Sequence, residues 1–214
     1  MVQVQKFSGI CVLIGLTAGG DSLLAEKVDS VPSPLIHVEV LLTTSDTLSE
    51  SARAVLVRET ESIWRRHGVV IHWLAPTDSS PAGQYRLRAL VVQKRAIPSS
   101  GRALAIGELV GSAGRHPIAF VSIEDARRLL TCTRGSLGCD LIALEERRLG
   151  ITLGRALAHE IGHFLLQTKT HARSGLMRSQ FDATEFTDLR DGTFALDQAA
   201  ETWLRARNVE KFAY

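Results

Sequence analysis

The sequence has little net charge, few cysteines and no apolar run long enough to cross a membrane as a helix. Among its 214 residues, 25 Lys and Arg nearly balance 23 Asp and Glu. The resulting charge of +2 gives no reason to expect nucleic acid or an anionic membrane as a partner. Glycine has no three-residue period and no heptad is sustained, which excludes collagen-like and coiled-coil chains.

The 45% hydrophobic and 22% charged residues are typical of a globular protein and exclude a disordered chain. The length favours one domain. Such a chain needs no array of disulfides, because it can bury roughly 70% of its unfolded surface.

The N-terminus has the pattern of a secretory signal. Lys6 precedes the apolar run Phe7–Leu16, and small residues follow at 17–20. This run is shorter than the about 20 residues that a membrane span requires. We expect residues 1–25 to be a signal peptide and 26–214 to form a single domain, secreted or periplasmic, without a stable membrane anchor.

Removal of the signal would leave two cysteines, Cys132 and Cys139. They flank a short segment with two glycines that can close a small ring. An even number of cysteines in an oxidising compartment favours a Cys132–Cys139 disulfide.

Periodicity predicts a mixed α/β fold. Strands are expected at Leu35–Leu42, Val69–Leu74, Tyr85–Val91 and Pro117–Ile123, with residues 94–116 as a long loop. Helices are expected after the capping box Thr47–Glu50, at Glu124–Leu130, at Asp140–Gln167 with a break near Gly150, and at Phe194–Arg207. The first strand–helix–strand unit implies parallel pairing, and Pro117 indicates a sheet edge.

The candidate chemistry lies after residue 150, where His159 to His163 reads His-Glu-Ile-Gly-His. Apolar residues at helical spacing flank this segment and predict a buried helix: Leu153, Leu157, Ile161 and Leu165. Positions i and i+4 share one face of a helix, so both imidazoles can reach one metal ion. Glu160 would project beside the metal, where it can act as a general base towards water. We interpret the segment as a zinc site.

A catalytic zinc site takes three protein ligands, and His171 is the best candidate for the third. In a continuous helix His171 would lie about 18 Å along the axis from His159, too far to share the ion. The helix must therefore end near Gln167 and the chain must bend back. The segment after His171 reads Ala-Arg-Ser-Gly-Leu-Met and ends at Met177.

The segment from His159 to Met177 resembles the metzincin clan of zinc peptidases, and within it the matrixin-like members. In that clan a third histidine follows the zinc helix, and a methionine in a tight turn lies beneath the metal. The usual spacing would place a Gly or Asn at position 166 and the histidine at 169. This chain has Leu166 and Lys169 there, so its third histidine is two residues late.

The resemblance implies an α+β fold with a twisted, mostly parallel sheet, an antiparallel edge strand, a zinc-binding active-site helix and a C-terminal helix. It also implies one catalytic Zn²⁺ held by His159, His163 and His171, with Glu160 as base and Met177 as the turn methionine. The implied activity is hydrolysis of peptide bonds in protein or peptide substrates. The strand Pro117–Ile123 is the candidate for binding the substrate backbone, and residues after Met177, up to about Thr184, would line a substrate pocket.

Two alternatives remain open at this point. In another class of zinc hydrolase, Glu185 on a later helix would replace His171 as the third ligand. Alternatively, the protein would be a secreted binding module with a structural zinc, although such a site prefers four protein ligands.

Overall fold

The computed structural model describes residues 36–75, 85–94, 106–111, 117–132, 141–189 and 194–211. All of them belong to one compact unit, Ser33–Tyr214. The predicted signal peptide and Cys139 lie outside the described residues, so the signal and the disulfide stay predictions. Within the described ranges, no helix has both the length and the apolar character needed to cross a membrane.

A five-stranded sheet forms one layer of the fold. Its strands are β1 (Ile36–Thr44), β2 (Val69–Leu74), β3 (Tyr85–Val92), β4 (Gly107–Val110) and β5 (Ile118–Ser122). Their order across the sheet is β2-β1-β3-β5-β4, and only the β4–β5 pair is antiparallel. The predicted fold class, a mostly parallel sheet with an antiparallel edge strand and helices, is confirmed.

The identity of the antiparallel edge strand differs from the prediction. β5, predicted as the edge, pairs with β3 on one side and β4 on the other. Pro117 stands just before β5, so its missing N–H costs no hydrogen bond within the strand. Its carbonyl still accepts a hydrogen bond from the Arg88 N–H of β3. The edge is β4, inside the segment predicted to be a loop, because four residues are too few for alternation to indicate a strand.

Helix α1 (Glu50–Arg65) connects β1 to β2 and packs against the sheet. Its N-cap is Ser49, whose hydroxyl accepts a hydrogen bond from the Ala52 N–H. The helix is therefore capped at Ser49 and not, as predicted, at Thr47; with Ala52 as the third helical residue, the predicted capping box does not form. The chain leaves the helix through Gly68 at φ +72°, a left-handed conformation that favours glycine.

Helix α3 (Leu141–Leu166) is one continuous helix of 26 residues, without the break predicted near Gly150. Gly150 and Gly154 instead allow close packing against α1. A Cβ at Gly150 would lie 2.6 Å from the Ala52 carbonyl oxygen, and one at Gly154 would lie 2.8 Å from that of Leu56. These glycines therefore bring two helices together and do not interrupt one.

Three shorter helices complete the described fold: α2 (Ile123–Cys132), α4 (Ala183–Thr187) and α5 (Gln198–Lys211). The C-terminal helix begins four residues later than predicted. Phe194 and Leu196 precede this helix, lie outside any helix or strand and are buried in the core.

Candidate metal centre

The end of α3 brings the third histidine back to the first two. His159 and His163 lie one turn apart on the last part of the helix. The helix ends at Leu166, and Gln167 adopts the left-handed conformation at φ +48°. The Thr168 N–H then bonds to the His163 carbonyl at 3.3 Å. The chain therefore reverses near Gln167, as predicted from the spacing of His171, although no glycine occurs there.

His159, His163 and His171 form a compact group. One ring nitrogen from each lies within 4.8 Å of the other two, a geometry that could hold a metal ion. The ring centroid of His171 lies 5.3 Å from that of His159 and 4.9 Å from that of His163. His163 is buried, His159 is half-buried and His171 is exposed, so the group opens to solvent on one side.

Backbone carbonyls fix the tautomers of the two helix histidines. His159 Nδ1 lies 2.7 Å from the Leu176 oxygen, and His163 Nδ1 lies 2.8 Å from the Thr168 oxygen. A carbonyl can only accept, so each Nδ1 carries the hydrogen and each neutral ring turns an Nε2 lone pair inwards. These two Nε2 atoms are 3.0 Å apart. Two facing lone pairs repel each other unless a cation binds them, so the donor set fits a metal ion such as zinc.

Burial keeps these rings neutral. Desolvation lowers the pKa of His159 to about 4, outweighing the opposing effect of the hydrogen bond to Leu176. Burial also lowers the pKa of His163. Neutral imidazole is the form that binds a metal, so neither ring has to lose a proton at neutral pH before it can do so.

Glu160 lies beside this group but is not part of it. Its side chain is 5% exposed and packs against β4. A Cβ built on Gly107 would lie 2.5 Å from Glu160 Oε1. Among the described residues, the metal-competent group contains the three histidines and no carboxylate. This placement is compatible with a base that faces the site without binding the ion.

Met177 lies in a turn packed against α3 and is 2% exposed. Its sulfur fills the space beside Gly162, where a Cβ would overlap it. The turn is held by a bond from the Ala172 N–H to the Met177 carbonyl at 2.8 Å. The Leu176 N–H bonds to Ala195, and the Leu176 carbonyl accepts from His159. The turn thus connects the third histidine, the helix and the segment before α5.

Arg155, one turn before His159, was missed by sequence reasoning. Its guanidinium is buried, bonds to Glu59 at 2.8 Å and donates to the carbonyls of Glu185 and Phe186. It also lies 4.4 Å from the centre of the Phe194 ring. An arginine within an otherwise apolar helical stretch was the available signal, because a buried charge requires partners.

An aromatic residue, Phe181, also borders the site. Its ring centroid lies 6.3 Å from that of His159 and 5.2 Å from that of Phe194, with Arg178 above its face. The segment after Met177 thus places a half-buried aromatic ring beside a predicted ligand.

Glu185, the alternative third ligand, is engaged elsewhere. Its carboxylate pairs with Arg178, and it does not belong to the metal-competent group found in the described ranges. Two further histidines, His37 and His72, form an exposed stacked pair on β1 and β2. Neither belongs to the group at the end of α3.

No family model matches this chain, and no curated protein sequence matches it. Among solved structures, the chain is similar to an archaemetzincin from Methanopyrus kandleri, with a TM-score of 0.48 and 15% sequence identity. The alignment covers 86% of this chain and 99% of that chain.

Proposed function

We propose that this protein is a metzincin-type, zinc-dependent endopeptidase. The observation that supports it best is the group of three histidines, with two inward-facing Nε2 atoms 3.0 Å apart. Imidazole nitrogens suit zinc, and backbone carbonyls orient the rings of His159 and His163 through Nδ1, as in other histidine metal sites. The ligands of the proposal are His159, His163 and His171.

The count of ligands favours catalysis over a structural role. A structural zinc site is closed by four protein ligands, whereas a catalytic site leaves one position for water or substrate. The described residues supply three histidines and no fourth ligand in the same group. The exposure of His171 places the open side of the group towards solvent.

In this proposal Glu160 is the general base and the shuttle for the proton. A zinc ion bound to the three histidines would supply Lewis-acid activation of a water molecule and of the scissile carbonyl. Glu160 accepts the proton that the attacking water loses and passes it to the leaving amine. Its burial against β4 holds the carboxylate at one place beside the histidines.

The substrate would bind along β4, one of the two edge strands of the sheet. An extended peptide can add to the edge of a sheet through main-chain hydrogen bonds. β4 borders Glu160 through Gly107, so a peptide on this strand would pass close to the base. Phe181, whose ring borders His159, would form part of the pocket for the side chain that follows the cleaved bond.

The proposal includes export from the cytoplasm and a Cys132–Cys139 disulfide, as expected from the sequence. Intact mass of the exported protein, measured with and without reduction, tests both. A retained Met1–Gly20 segment would contradict export. Two free thiols in that pair would contradict the disulfide.

Glu160→Ala is the experiment that separates an enzyme from a binding module. We expect zinc content and folding to stay close to those of the wild type. Hydrolysis should fall by at least the ~10²–10⁴-fold typical of losing a general base. The assay is cleavage of an unfolded protein and a peptide library, with a chelator control for the wild type.

Each other outcome has a defined meaning. Absence of chelator-sensitive cleavage by the wild type would overturn the proposed activity and favour a binding module. Equal activity in the wild type and Glu160→Ala would assign the hydrolysis to a contaminant or another site. Loss of zinc in Glu160→Ala would make Glu160 a ligand and would contradict its role as base.

A further inference from the structure

The edge strand passes the predicted base at the one residue of β4 that has no side chain. An ideal Cβ on Gly107 would lie 2.5 Å from Glu160 Oε1, 2.9 Å from Cγ and 3.1 Å from Cδ. Its φ is not in the left-handed region, so backbone conformation does not require glycine here. Among the described residues, the atoms that a side chain at this position would meet first are those of Glu160.

The backbone of β4 is less free to retreat than the carboxylate. The strand pairs antiparallel with β5 over its whole length, with Gly107 opposite Val121. The Ser122 N–H also bonds to the Ile106 carbonyl at 2.9 Å, just before the strand begins. A new methyl group would therefore displace the flexible end of Glu160 before it moved the strand.

A methyl group at Gly107 should affect the rate of hydrolysis more than the stability of the fold. The overlapping atoms belong to a side chain and not to the backbone, so we expect a rotation of the Glu160 side chain, more than a shift of the fold, to make room for the methyl group. The same rotation moves the carboxylate by about 1 Å, the difference between 2.5 Å and an ordinary contact. A misplacement of this size near the reacting atoms can lower a rate by about 10²-fold.

We propose that Gly107 is a positioning residue for Glu160: its missing side chain leaves the space between β4 and α3 in which the base is held. This inference rests on the proposed function for its catalytic consequence. The position of the carboxylate does not depend on that function and can be tested by itself.

The first test is the crystal structure of Gly107→Ala beside that of the wild type, both loaded with zinc. We expect the Glu160 carboxylate to shift by about 1 Å while β4 and the three histidines keep their places. Glu108→Ala is the matched control, because neighbouring side chains on a strand point to opposite faces. It should leave the Glu160 carboxylate where it is. An unmoved carboxylate in Gly107→Ala would overturn the proposal, whether or not the protein is a peptidase.

The second test is a double-mutant cycle on hydrolysis with Glu160→Asp. Gly107→Ala in the wild type should lower kcat by about 10²-fold and leave zinc affinity unchanged. In the Glu160→Asp background, whose shorter side chain vacates the crowded space, Gly107→Ala should change kcat by no more than about twofold. If Gly107→Ala lowered kcat equally in both backgrounds, the methyl group would act on substrate binding and not through Glu160. That result would overturn the proposal.

A variant that does not fold is also informative. If Gly107→Ala is unstable, combining it with Glu160→Ala should restore folding, because the atoms in conflict are then absent. Failure of this rescue would mean that the methyl group collides with something other than Glu160, and the proposal would be wrong. Absence of hydrolysis in the wild type would overturn the proposed function and leave the crystallographic test in force.

Discussion

At the scale of single residues, the candidate site combines groups that are held by different means. The two helix histidines are oriented by backbone carbonyls, one from the Met177 turn and one from the end of α3. Glu160 is placed by packing against a glycine in a strand. His171 depends on the reversal of the chain at Gln167. Changes at these positions should therefore have different consequences.

His171→Ala should greatly weaken zinc binding, whereas Glu185→Ala should not. The first removes one of three donor nitrogens, and the second removes a carboxylate that pairs with Arg178 outside the histidine group. The measurement is zinc content after dialysis against a graded series of chelator concentrations. An empty site in Glu185→Ala together with a filled site in His171→Ala would reassign the third ligand.

At the scale of elements, the site depends on how closely α3 packs against α1. The Thr60 hydroxyl donates to the Gly154 carbonyl at 3.1 Å, and Trp64 Nε1 donates to the Ala158 carbonyl at 3.1 Å. These bonds, together with Arg155–Glu59, hold the helix just before the histidine motif. The small side of α3 at Gly150 and Gly154 makes this approach possible.

Gly154→Ala should destabilise the protein by about 1–3 kcal/mol, as expected for overpacking. The new Cβ would lie 2.8 Å from the Leu56 carbonyl oxygen and 2.8 Å from Glu59 Cβ. In an uncrowded helix the same change would instead stabilise by up to about 1 kcal/mol. Urea unfolding gives the sign, with the exposed Arg147→Ala as a control expected within about 0.5 kcal/mol of the wild type. An increased free energy of unfolding for Gly154→Ala would contradict the crowding.

At the scale of the whole molecule, the buried histidines couple stability to pH when no metal is bound. Burial lowers the pKa of His159 from 6.5 to about 4, and it lowers the pKa values of His163 and His67 in the same direction. Between the two values for His159, the unfolded chain binds a proton that the folded protein does not. The free energy of unfolding therefore rises with pH across this window and falls on acidification.

For metal-free protein we expect His159 alone to lower the free energy of unfolding by about 2 kcal/mol between pH 7 and about pH 4.5. Urea unfolding at several pH values in the presence of a chelator measures this dependence. In metal-free His159→Ala, the contribution of this ring to the pH dependence of the free energy of unfolding should be absent, although other groups still titrate. An unchanged pH dependence in His159→Ala would show that the ring is not held neutral by burial.

Much of this architecture could be predicted from the sequence, because the signals are local. The period of the apolar residues around His159 indicated a helix, and the spacing of His171 required that helix to end near Gln167. The left-handed conformation of Gln167 confirms the end point. Parallel pairing of β1 and β2 followed from the strand–helix–strand order.

Only the tertiary structure decided the contacts between distant segments. It placed β4, and not the predicted strand β5, at the sheet edge. It also packed Gly107 of β4 against Glu160. It also used Gly150 for helix packing, where the sequence suggested a break. Periodicity reports which side of an element is buried, but not which partner it meets. The partners of Glu160, Arg155 and Gly107 come from segments 30 or more residues away along the chain, so only the folded chain could reveal them.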